Sequence, residues 1–172
     1  MVKTGRKSGW RGLMVVVFLI AAGRVSTYGQ ASDPRNLDAQ RTLERAILLA
    51  GPTVARLPIV LAATPPDGAS DGVEAWVIRK PDGQLQIGVY RESAAFRCAS
   101  GLILQNYQCL LKVASAIVHE AWHYKHGADE SGAYEAQIAF LVLNGGSSAQ
   151  VSGVRRARER IVTGHHPVER GR

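Results

Sequence analysis

Tyr107 to His126 reads as one long helix, and Gly127 follows it as a residue suited to the C′ position. Near the end of that helix stands His119-Glu120-Ala121-Trp122-His123, an H-E-x-x-H motif. Two histidines four apart lie about 40° apart around a helix axis, one turn above each other. Their imidazoles therefore face one ion from the same side. Glu120 sits about 100° round from His119, in reach of the position that such an ion leaves open.

This spacing suits zinc chemistry. Zn²⁺ takes neutral histidine nitrogens at roughly 2.0–2.1 Å, and a catalytic site has three protein ligands plus a water. A carboxylate beside the open position acts as general base on that water. With five histidines in the chain, shuffling its composition yields the motif in roughly 0.7% of sequences. The competing reading is an ordinary pair of surface or core histidines. The helix itself argues against it: Lys112, Ser115, Ala116, His119, His123 and His126 share one polar or small-residue face, while Leu110, Leu111, Val113, Ile117 and Trp122 spread over the remaining arc.

One helix supplies two ligands easily and a third poorly. After Gly127, Ala128-Asp129 makes a short turn with Asp129 as an N-cap, and a second helix is expected from Glu130 to Leu143, stopping at Asn144-Gly145-Gly146. The arrangement resembles the zincin metallopeptidases, and among them the gluzincins, in which a Glu from the helix after H-E-x-x-H completes the metal site. The resemblance covers about 25 residues. It implies His119, His123 and Glu130 as metal ligands, Glu120 as catalytic base and Zn²⁺ as the cofactor. Gluzincins often carry E-x-x-x-D at this place; here the last position is Tyr134.

Two other carboxylates compete for the third position. Glu135 lies about 140° from Glu130 around the second helix, beside Ser131, Ala139 and Val142, whereas the bulkier residues centre on the Glu130 direction. Asp129 has the spacing from His123 that metzincin-like sites use, although the glycine of that pattern is one place late, at Gly127. His126 reads as a helix-end cation.

Residues 1–31 hold Lys3, Arg6, Lys7, Arg11 and Arg24 and no acid, and the run Leu13–Ala22 is apolar. Ten residues are short for a membrane span and right for a signal h-region, with cleavage expected after Ala31. An uncleaved leader would instead be an anchor, the one route by which a membrane enters as partner. The formal net charge of +7 belongs mostly to this leader: beyond it the chain carries 16 basic and 14 acidic residues, so a basic nucleic-acid surface is not supported. Export permits a disulfide between the two cysteines, Cys98 and Cys109.

After a polar linker, Asp38–Ala50 has helical spacing and Leu57–Ala62 is a short strand containing Pro58. Val73–Arg79 and Gln84–Tyr90 read as a hairpin about Lys80-Pro81-Asp82-Gly83, with Leu85, Ile87 and Val89 on the buried face and Trp76 as a core aromatic. Ser93 caps a short helix to Ala99, and Gly101–Gln105 is ambiguous. The expected fold is α+β: a minimal zincin-like domain over residues 32–150, with a small antiparallel sheet packed on the motif helix, followed by a basic tail over 151–172. That tail contains His165 and His166, read as solvated.

The expected activity is peptide-bond hydrolysis outside the cytoplasm, on a peptide or protein substrate. By resemblance, that substrate lies extended along an edge strand. Tyr134, Tyr90 and Tyr124 are candidate donors to the oxyanion. The alternatives are an extracytoplasmic zinc-binding structural protein without turnover, and a membrane-tethered adaptor that binds no metal.

Overall fold

The computed structural model describes residues 34–69, 72–101 and 106–163. The expected leader, residues 102–105 of the ambiguous stretch, and His165 and His166 lie outside the described residues. The elements are α1 (Pro34–Ala50), β1 (Ile59–Ala62), β2 (Ala75–Arg79), β3 (Leu85–Tyr90), α2 (Ala94–Ala99), α3 (Asn106–His126), α4 (Glu130–Leu143) and α5 (Ser148–Val162). This is a mixed α+β architecture.

Three strands form a sheet in the order β1-β3-β2. β2 and β3 are the expected antiparallel hairpin, with Val77 opposite Ile87. Its turn closes through Gly83 N–H to the Lys80 carbonyl at 2.9 Å, with Gly83 at φ 83°. β1 departs from the expectation of an all-antiparallel sheet: it lies parallel to β3 on the other side, with Ile59 opposite Ile87. Topology explains the difference, because the chain leaves β1, returns through β2 and enters β3 running in the direction of β1 again. Pro58 falls just before β1, where its carbonyl accepts from Ile87 N–H at 2.9 Å and its missing donor is not needed.

The core sits between one face of this sheet and α3. Ala75, Ile87 and Val89 meet Val113, Ala114 and Ile117, and Leu43 of α1 and Phe96 of α2 close the sides. Ile117 and Ile87 are fully buried. Trp76 corrects the expectation of a core aromatic. As a neighbour of Ala75 it faces the other side of the sheet, half-buried over Gly88, where an added Cβ would come within 3.0–3.1 Å of its ring.

Ser93 accepts the Phe96 N–H and caps α2. Cys98 of α2 and Cys109 of α3 are joined in a disulfide, with Cα atoms 5.8 Å apart; such bonds persist in oxidising compartments. The boundary expected at residue 150 falls inside α5, which starts at Ser148 behind a capping box of Ser147 and Gln150. No described helix is long and apolar enough to cross a membrane.

Candidate metal centre

α3 ends at Gly127, whose φ of 74° and N–H to the His123 carbonyl at 2.9 Å form a left-handed C′ stop. That turn also aims the Gly127 carbonyl back at the helix, where it accepts from His123 Nδ1 at 2.8 Å. A carbonyl can only accept, so Nδ1 is the donor, which leaves Nε2 as the nitrogen for a metal. His119 and His123 then bring their Nε2 atoms to 3.1 Å, with ring centroids 4.8 Å apart.

The turn Gly127–Asp129 returns the chain as α4, and Glu130 is its first residue. Its carboxylate lies 3.5 Å from His119 Nε2 and 3.5 Å from His123 Nε2, through different oxygens. The three residues offer ligand atoms within 4.8 Å of one another, a group that could hold a metal ion. Bonds of about 2.0–2.1 Å in tetrahedral array place ligand atoms about 3.3–3.4 Å apart, close to the 3.1 Å between the two imidazole nitrogens. Burial, then the neighbouring His123, hold His119 below the usual histidine range, against the pull of Glu130 and Gln137; this favours the neutral ring that a metal requires. His119 Nδ1 is buried without a hydrogen bond of good geometry. Gln137, held to Ser115 Oγ at 3.2 Å, is the side chain beside that ring.

Glu120 faces the same space. Burial pushes its carboxyl up to about 7; Glu130 adds to the rise, and His123 and a hydrogen bond from the Val77 backbone oppose it. The Val77 contact follows from the hairpin register. Tyr90 N–H donates to Glu74 O and Lys80 N–H to Gln84 O, so alternate residues Ala75, Val77 and Arg79 turn their backbone groups away from β3. β2 is thus an edge strand whose free side looks onto α3.

Two cavities flank Glu120 along that edge. One, about 280 Å³, is lined by Glu74, Lys112, His119, Glu120, Tyr134 and Gln137, with Gly153 and Ala157 of α5 opposite. The other, about 320 Å³, is lined by Val77, Arg79, Glu120, His123 and Glu130. A larger cavity of about 400 Å³, near Asn36, Arg91 and Arg97, shares no residue with the site.

The other candidate ligands are engaged elsewhere. Asp129 accepts Gly132 N–H at 3.0 Å and Trp122 Nε1–H at 3.2 Å, one bond on each oxygen. Glu135 pairs with Arg158 of α5. His126 stacks on Trp122 at 4.3 Å. Of the three tyrosines, Tyr134 lines the cavity, its ring centroid 4.6 Å from that of His119; Tyr124 packs against the core. Burial, then Glu130, hold the Tyr134 hydroxyl above its ordinary value, so it stays a donor. The reading from sequence did not single out Glu74, which bonds Lys112 Nζ at 2.6 Å, or Gln137 as the neighbour of His119. It also missed α5 as a wall of the first cavity, where Gly153, Val154 and Ala157 stand.

Comparison with protein-family models, with curated proteins and with solved structures finds no match. The chemistry of the site rests on its own residues.

Proposed function

We propose that this chain is an exported, zinc-dependent metallopeptidase of zincin-like design. The observation that carries the reading is the convergence of His119, His123 and Glu130 beside the half-buried carboxylate of Glu120. His119, His123 and Glu130 would hold the ion. Bound there, zinc would lower the pKa of a water towards about 7 and polarise a carbonyl.

The chain's own groups supply the rest. Glu120, desolvated and aimed at the site, takes the proton from the attacking water and returns it to the leaving amine nitrogen. Tyr134 donates its hydroxyl proton to the carbonyl oxygen as negative charge develops there. The free edge of β2 offers the Ala75 and Arg79 backbone to an extended peptide, which spans the two cavities on either side of Glu120. The disulfide and the basic, apolar leader support a location outside the cytoplasm.

Openness favours turnover over a purely structural ion. Structural zinc sites are closed by four protein ligands. Here three ligands gather among the described residues, and the Glu130 side chain is 46% exposed. The test is elemental analysis together with hydrolysis of a mixed peptide library. The purified chain should carry one zinc and cleave peptides, and Glu120→Gln should keep the zinc and lose cleavage. Undiminished cleavage by that variant would reject Glu120 as the base, and a zinc-loaded chain that cleaves nothing would leave the structural alternative.

A further inference from the structure

We propose that Trp122, Asp129 and Gly132 form a latch that sets the third metal ligand. The inference rests on the metal-site reading above. Trp122 lies on α3 between the two histidines and reaches across to the turn, where its Nε1–H donates to Asp129 Oδ2 at 3.2 Å. The other oxygen of the same carboxylate accepts Gly132 N–H at 3.0 Å and caps α4. Capping needs only one of these bonds. The second ties the last turns of α3 to the first turn of α4, and the residue next to Asp129 is Glu130.

Gly132 marks how close the three groups are. A Cβ there would overlap Asp129 Oδ2 and come within 2.6 and 2.7 Å of the Trp122 ring, closer than side-chain carbons sit. His126 covers the indole from a further side, with centroids 4.3 Å apart. The indole is therefore held in place by His126 and by the absence of a side chain at Gly132. In this arrangement Glu130 reaches both imidazole nitrogens at 3.5 Å. Trp122 and Asp129 are positioning residues: they act on the metal through Glu130 and need not touch it.

The experiment is a zinc titration of the full chain against a chromophoric chelator, with two latch variants in two backgrounds. Trp122→Phe keeps the ring and removes the donor. Asp129→Asn keeps an acceptor for Gly132 N–H and loses the second acceptor that meets the indole. Each should weaken zinc binding roughly 10-fold in the otherwise native chain, the size typical of outer groups that orient a ligand. In a Glu130→Ala background each should change affinity less than twofold, because the ligand they position is gone. Equal losses in both backgrounds, or no loss in either, would overturn the latch. In particular, a loss with Asp129→Asn in both backgrounds would make Asp129 a ligand itself. A native chain that takes up no zinc would sink the metal-site reading separately.

Discussion

Glu130 and Glu135 are five residues apart on one helix and have different surroundings. Glu130 stands 3.5 Å from both histidines, whereas Glu135 pairs with Arg158. Glu130→Ala should therefore strip zinc from the purified protein, and Glu135→Ala should leave the content unchanged, as read by elemental analysis. Glu74 gives a pH prediction. Burial raises its carboxyl above the usual range against the opposing hydrogen bond and charge of Lys112. A folded-state value above the unfolded one favours the fold at low pH, and that contribution is lost as pH rises through the folded value. Denaturation of wild type and Glu74→Gln between about pH 4 and 8 should show wild type losing stability relative to the variant as pH rises. A constant difference would contradict the burial argument.

Among the elements, α3 and its stop determine the most. Gly127 combines a positive φ with the carbonyl that fixes His123. Gly127→Ala should cost about 1–2 kcal/mol in chemical denaturation, because a Cβ is strained in the left-handed region, and should weaken zinc binding as well. At α5, Ser147→Ala removes half of the capping box and should cost about 1 kcal/mol by the same measurement. The boundaries of α2, α3 and α4 were legible to within a residue because their signals are local. Asp129, Gly127 and the Asn144-Gly145 stop bracket α3 and α4 where the sequence places them, and Ser93 caps α2. Strand pairing was legible only for the hairpin, whose two partners are joined by a four-residue turn. The side of β3 on which β1 lies, and its direction, depend on a connection that passes through β2. The sequence reading expects Trp76 in the core, and the pleat of β2 places it on the other face of the sheet.

For the whole molecule, Cys98–Cys109 closes a loop between α2 and α3. Replacing both cysteines with serine should lower stability by about 2–3 kcal/mol, read as a lower denaturant midpoint. A bound ion should act in the opposite direction. At 100 times its dissociation constant, zinc should stabilise the native chain by about 2.7 kcal/mol and leave Glu130→Ala almost unmoved at the same concentration.

The sequence alone determined that His119, Glu120 and His123 project towards one region, since the helical period fixes directions within an element. It also determined that a carboxylate-bearing helix follows after a tight turn. Only the tertiary structure decided which of Asp129, Glu130 and Glu135 meets the imidazoles, that β2 turns a free edge towards Glu120, and that α5 walls the cavity. Those relations depend on how separate elements pack against one another, and packing is set by the whole buried surface rather than by any short stretch of chain.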